Sequence, residues 1–190
     1  MRLKQLFVVL LLAPAFAGAT TPTDVGGSFE LTDQSGRAVT EKTYAGKPAL
    51  MYFGFSTCPD VCPTDLARIA RIAKRVKQNT GFELTPIFVT VDPERDTPEK
   101  LKTYVAIFGK NFVGLTGTPT QIKDIAGKYH VYYKKIPYGA KGQYTMDHST
   151  FLFLLDGKGR YLDHFGRSVD EATVAQRVAA DLRAGSGAAM

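Results

Sequence analysis

Hydrophobic positions along the chain change their period repeatedly, and each change marks an element. Ser28–Thr32 and Arg37–Thr40 flank the turn-rich tetrad Asp33–Gly36, which predicts a β-hairpin at the start of the folded part. Ala49–Phe55 is then a short, continuous, aromatic-rich apolar run, as expected of a strand buried on both faces. Behind it Cys62, Leu66, Ile69, Ala73 and Val76 recur every three or four residues and form one apolar stripe of a helix. Leu84–Val91 reads as a second buried strand, with Pro86 near its start, where a missing donor is tolerated.

The alternation continues to the end of the chain. Thr97-Pro98-Glu99 opens a helix whose apolar side is Leu101, Tyr104, Val105 and Phe108. Phe112–Leu115 is a short strand. Thr118-Pro119-Thr120-Gln121 has capping-box spacing and starts a helix through Ile122, Ile125 and Ala126. Val131–Lys134 reads as a strand, followed by a polar loop holding Tyr138–Gly142. Thr150–Leu155 and Tyr161–Phe165 form a hairpin across Asp156–Gly159, and Ser168–Glu171 reads as a second capping box before a last helix. Strand–helix–strand–helix, then a hairpin and a terminal helix, predicts an α/β fold of thioredoxin-like type: a central mixed sheet flanked by helices, with an N-terminal β-hairpin. Fold alone settles no function.

The first residues follow a different logic. Arg2 and Lys4 precede the apolar run Leu6–Phe16, and Ala15-Phe16-Ala17 or Ala17-Gly18-Ala19 fits a small-x-small cleavage site. Residues 1–19 therefore read as a signal peptide, residues 20–183 as one domain and residues 184–190 as a flexible tail. The apolar stretch is shorter than the ~20 residues of a membrane span and Pro14 interrupts it. The expected location is exported and periplasmic, with membrane association only if the signal stays uncleaved.

Charge adds little. The chain carries 24 Lys+Arg against 18 Asp+Glu, and removal of Arg2 and Lys4 with the leader lowers the net charge from +6 to +4. Arg68, Arg71, Lys74, Arg75 and Lys77 share one helix and read as its solvated face. Without clustered basic and readout residues, and in an exported protein, nucleic acid is excluded as a partner.

The chemistry concentrates in Thr57-Cys58-Pro59-Asp60-Val61-Cys62-Pro63, at a strand-to-helix junction. A helix N-terminus favours thiolate. Two cysteines four apart lie about one helical turn, ~6 Å, from one another, close enough for a disulfide and for one metal ion. Spacing alone does not choose among disulfide, redox couple and metal site. Three intervening residues, where thioredoxin-like oxidoreductases have two, suit chelation better than rapid exchange.

A third donor is available. His148, in Met146-Asp147-His148-Ser149-Thr150, stands just before the strand Thr150–Leu155, in the loop that faces the cysteine-bearing helix start of a thioredoxin-like sheet; His130 and His164 have no such placement and read as surface or structural. Two thiolates and one imidazole are soft donors suited to Cu(I). Their complex carries a net charge of −1 with Cu(I) and zero with Cu(II). Structural zinc would need a fourth ligand, and catalytic zinc, which needs only three, stays open but lacks its usual general-base Glu in these motifs. Asp92 and Asp96, in Asp92-Pro93-Glu94-Arg95-Asp96-Thr97-Pro98, divide between a turn with a helix cap and carboxylates that orient the site or offer a docking charge; Asp147 is a third such candidate.

Together, Thr57–Pro63, Asp92–Pro98 and Asp147-His148-Ser149 resemble the Sco/SenC family of copper-binding assembly proteins, over roughly residues 25–182. The resemblance implies a thioredoxin-like fold and copper bound by Cys58, Cys62 and His148. It also implies a role in building the dinuclear copper A centre of cytochrome c oxidase, with that centre's subunit as partner. Other periplasmic copper chaperones and thiol reductants are further partners of this reading. Many family members are membrane- or lipid-anchored, whereas this leader reads as cleavable. On this reading the chain is a metallochaperone rather than a turnover enzyme. The alternative is a thiol–disulfide reductase that uses Cys58 and Cys62 to keep client cysteines reduced. A peroxidase is disfavoured, since no Pro-x-x-x-Thr-x-x-Cys signature occurs and the chain has no Trp.

Overall fold

A computed structural model describes residues 25–139 and 141–187, so the leader expected at residues 1–19 lies outside the described residues. Strands β1 (Glu30–Asp33) and β2 (Ala38–Thr40) form the expected antiparallel hairpin. Its turn is closed by the Asp33 carboxylate, which accepts from the Ser35 and Arg37 amides at 2.8 and 3.0 Å. A short 3-10 turn, Glu41–Tyr44, leads to β3 (Ala49–Gly54), buried at every position. Helix α1 (Val61–Thr80) follows and ends at Gly81, whose φ of 77° suits a residue without Cβ.

Strand β4 (Thr85–Thr90) is next, then α2 (Pro98–Ala106), capped by the Thr97 hydroxyl, which accepts from the Lys100 amide. After β5 (Val113–Thr116), the capping box of Thr118 and Gln121 opens α3 (Pro119–Lys128) as expected. The chain finishes with β6 (Tyr133–Pro137), β7 (Tyr144–His148), β8 (Leu152–Leu155), β9 (Tyr161–Phe165) and α4 (Glu171–Gly187).

Seven strands form one sheet in the order β2-β1-β5-β4-β3-β8-β9. The central pairs β3–β4 and β4–β5 are parallel, whereas β1–β5, β3–β8 and β8–β9 are antiparallel. This is the mixed, thioredoxin-like sheet that the element order predicts. β3 and β4 sit at its centre, and the α1 stripe of Cys62, Leu66, Ile69, Ala73 and Val76 is buried. Among the described residues no helix is long and apolar enough to cross a membrane.

Four details depart from the sequence reading. The polar segment after β6 is the tip of a hairpin rather than a loop: β6 and β7 pair antiparallel as a separate two-stranded ribbon, His148 opposite Tyr133. Its strands are short and polar on one face, so they lack an apolar run. The cap of α4 is Asp170, not Ser168: its carboxylate accepts from the Ala172 and Thr173 amides, both at 3.0 Å, and its carbonyl from the Val174 amide. Helix α4 runs to Gly187, so its last turn lies within the segment read as a tail. Finally, Arg68 is buried within the expected basic face of α1, where its guanidinium donates to the Val169 carbonyl and ties α1 to the approach to α4.

Candidate metal centre

The site is built where β3 gives way to α1. The Cys58 amide donates to the Phe55 carbonyl at 3.2 Å, which folds residues 55–58 into a turn and holds Cys58 at the mouth of the helix. Cys62 is the second residue of α1 and is wholly buried, whereas Cys58 is half-exposed. Room for the Cys62 sulfur comes from Gly54: a Cβ there would lie 2.9 Å from it.

Both cysteines are free thiols with opposed acidities. The Cys58 sulfur accepts from the Cys62 thiol and from amides at the start of α1, including that of Cys62 at 3.4 Å. The Cys62 thiol is the largest cause, and together these donors draw the Cys58 thiol down to about 5 against its partial burial. Donation to Cys58, then burial, pushes the Cys62 thiol up. The pair therefore rests near neutral pH as a Cys58 thiolate beside a Cys62 thiol.

His148 ends β7 and closes over this pair. Its ring meets Phe55 and Tyr52 edge-on, at centroid distances of 5.7 and 6.1 Å. Nδ1 lies 2.9 Å from the Ser149 carbonyl, which can only accept, so Nδ1 carries the proton. In the neutral imidazole Nε2 is then the lone-pair nitrogen, and it lies 3.5 Å from the Cys62 sulfur. Tyr52 reaches the same sulfur through its hydroxyl at 4.0 Å. Among the described residues no three His, Cys, Asp or Glu side chains already surround a metal-sized point. The Cys62 sulfur is the shared neighbour of the Cys58 sulfur and of Nε2.

The carboxylates separate. Asp96 is fully buried and accepts from the Ser56 amide at 2.9 Å, the Ser56 hydroxyl and the Thr90 hydroxyl at 2.7 Å. It thereby fixes the residue two before Cys58. Asp92, also buried, pairs with Arg95 and accepts from the Tyr144 hydroxyl at 2.8 Å. Asp147 is not brought in: side chains alternate along β7, so Tyr144, Met146 and His148 share one face while Asp147 points from the other and is exposed. His130 is exposed beyond α3, at a φ of 52°. His164 lies on the outer strand β9, with Nδ1 2.6 Å from the Tyr161 hydroxyl.

Sequence reasoning missed Tyr52, Asp65, Arg95 and Tyr144. A tyrosine in an otherwise apolar buried strand needs a partner for its hydroxyl, which is a readable signal. So is Asp65, a carboxylate beside the apolar stripe of α1; it is buried and held by Arg167 at 3.1 Å. Arg95 and Tyr144 come together only through the β6–β7 ribbon.

The SCO1/SenC family profile matches residues 17–183 of the chain. An SCO2-like protein of Rickettsia prowazekii is 45% identical over 142 residues, covering 74% of this chain and 69% of that protein. The mitochondrial SCO1 homolog of Mus musculus is 40% identical over 160 residues, 84% of this chain but 56% of the mouse protein, so the chain spans little more than half of that relative. Among solved structures, the crystal structure of Arabidopsis thaliana ScoI with copper bound superposes with a TM-score of 0.80 at 37% identity, covering 84% of this chain and 98% of that one. By sequence over most of its length, and by a fold shared with a copper-bound relative, the chain belongs to the SCO1/SenC family.

Proposed function

We propose that this protein carries copper as cargo on Cys58, Cys62 and His148, and assists assembly of the dinuclear copper A centre of cytochrome c oxidase. The observation that carries the reading is His148 Nε2 lying 3.5 Å from the Cys62 sulfur, with Nδ1 held by a backbone carbonyl. That arrangement is how a metal-binding imidazole is typically oriented. Two sulfurs and one nitrogen, without a fourth donor, favour Cu(I) over structural zinc. The copper in the Arabidopsis relative supports the same choice. The leader read at residues 1–19 supports an exported, periplasmic location, where the copper A subunit, other copper chaperones and thiol reductants would be partners.

A second reading has its own observation. A Cys58 thiolate beside a Cys62 thiol is poised to attack a client disulfide and be resolved. The two readings share every residue except His148, which only metal binding requires. The deciding experiment is metal content and Cu(I) affinity of the reduced protein, followed by metallation of an apo copper A domain. Stoichiometric, tight Cu(I) and transfer to the domain are expected. Failure of the reduced protein to hold Cu(I) against a weak chelator would leave the reductase reading alone.

A further inference from the structure

His148 stands on a ribbon that pairs with no strand of the main sheet, so sheet hydrogen bonds do not set its position relative to the cysteines. The base of the ribbon is closed by the Ser149 amide donating to the Tyr132 carbonyl at 2.9 Å, which leaves its angle to the sheet open. One segment touches both halves of the site, the turn Asp92–Asp96 between β4 and α2. On one side Asp96 holds Ser56 of the cysteine loop. On the other, Arg95 donates through Nη1 to the Tyr144 carbonyl at 2.9 Å, and its guanidinium lies 3.8 Å above the Tyr144 ring. Asp92 anchors both members of that stack, pairing with Arg95 and accepting from the Tyr144 hydroxyl. The guanidinium also lies 5.9 Å from the centre of the Phe55 ring, which packs on His148.

We propose that Arg95 is a positioning residue for the metal centre: stacked on Tyr144 and bonded to its carbonyl, it fixes the His148 ribbon against the cysteine loop. The inference rests on the reading of Cys58, Cys62 and His148 as copper donors. Only arginine fits the position. Its fork can pair with Asp92 and reach the Tyr144 carbonyl while its plane stacks on the ring, which a lysine ammonium cannot do at once. Its Nη2 is buried without a hydrogen-bond partner among the described residues, and the ring face beneath offsets part of that cost. Tyr144 and His148 lie on the same face of β7, four residues apart, so rotation of the ribbon at Tyr144 moves the imidazole directly.

The test compares wild type with Arg95→Ala, Arg95→Lys and Tyr144→Leu in the full chain. Tyr144→Leu removes the stacking ring from the ribbon, together with its hydroxyl's bond to Asp92, while Arg95 itself and the Asp96–Ser56 contacts stay in place. Lys135→Ala is the control, because Lys135 also lies over the Tyr144 ring, at 4.2 Å, but reaches Glu94 rather than the β7 backbone. In the metal-free protein, nuclear Overhauser contacts from His148 to Phe55 and Cys62 are expected to weaken in all three variants and persist in the control. Cu(I) affinity, read by competition with a chromophoric chelator, is expected to fall about 10–100-fold, the range for residues that orient a ligand. Lysine is not expected to rescue. Wild-type contacts and affinity in folded Arg95→Lys and Tyr144→Leu would overturn the assignment. If wild type itself binds no Cu(I), the copper reading fails, and the contacts in the metal-free chain still decide the role of Arg95.

Discussion

The Nε2 atom of His148 lies 3.5 Å from the sulfur of Cys62, while Nδ1 of the same ring is tied to the Ser149 carbonyl at 2.9 Å. One contact determines what the other offers: with the proton held on Nδ1, the nitrogen facing the sulfur is a donor to a metal. His148→Ala should therefore weaken Cu(I) binding by more than about 100-fold, beyond the loss typical of residues that only orient a ligand. Cysteine redox behaviour should change little, since the Cys58 sulfur keeps its thiol and amide donors and the Cys62 sulfur keeps Cys58 and Tyr52. Equal Cu(I) affinity in wild type and variant, by chelator competition, would remove His148 from the donor set.

The opposed acidities of the cysteines give a pH dependence. Alkylation of Cys58 should follow a midpoint of about 5, far below the ~8.5 of a free cysteine, while Cys62 stays unreactive near neutral pH. A lowered folded-state pKa means that the native state binds fewer protons than the unfolded chain between those values. Stability of the reduced protein should thus rise with pH across that window and be lost as pH falls toward 5, a slope absent from Cys58→Ser. Peptide mapping of alkylation rates against pH measures the first effect and urea unfolding the second. Equal reactivity of the two thiols at pH 7 would contradict the assignment.

How far the sequence reveals this depends on the range of the interaction. Local period and turn chemistry place β3, α1, β4, α2 and α3, and the N-terminal hairpin, because each is decided by its own residues. Cys58 and Cys62 are visible for the same reason, standing at a predicted strand-to-helix junction. Asp170 displaces Ser168 as the α4 cap because the helix starts only where its carboxylate can reach two free amides, a matter of where the chain arrives from β9. β7 is invisible because a short two-stranded ribbon buries only Met146 of that strand, too little to impose an apolar pattern on the sequence. That concealed the fact that Asp147 and His148 face opposite ways, and it hid the contact between Arg95 and Tyr144, which are 49 residues apart in sequence.

Oxidation should act as a switch on binding. A Cys58–Cys62 disulfide consumes both sulfurs and leaves His148 alone, so the oxidised protein should hold no stoichiometric Cu(I) and regain it on reduction. Copper content after gel filtration, with free thiols counted in the same sample, tests this. One equivalent of Cu(I) on fully oxidised protein would show that the sulfurs are not the donors.

Asp96 should matter for the fold as much as for the site. It is buried, and three donors from Ser56 and Thr90 converge on it, with Lys100 3.4 Å away. Asp96→Ala leaves those donors without an acceptor and should cost about 2–4 kcal/mol, the range for stranding buried partners of a charged group. Asp96→Asn keeps the shape and should cost less, yet it presents an amide N–H₂ to donors that need an oxygen. A loss under ~1 kcal/mol for Asp96→Ala in urea unfolding would mean that water replaces the carboxylate.

Gly54 provides the sharpest steric test, because the backbone there does not need glycine's freedom and only space is at issue. A Cβ would sit 2.9 Å from the Cys62 sulfur, 2.9 Å from Phe88 and 3.0 Å from Tyr52, three fully buried side chains. None is the free end of a flexible side chain, so Gly54→Ala must displace at least one, at a cost of about 1–3 kcal/mol. The sulfur is the smallest obstacle and faces His148, so it should move toward the imidazole or turn away from Tyr52. Either movement alters the donor geometry, and the variant should lose Cu(I) affinity as well as stability. Gly54→Ser should behave similarly, whereas alanine at Gly46, where a Cβ meets nothing within 4 Å, brings only the strain of its φ of 91° and should leave copper binding intact. Cu(I) affinity unchanged in Gly54→Ala, with stability lowered, would show that Phe88 or Tyr52 yields instead and that the Cys62 sulfur is held more firmly than its neighbours.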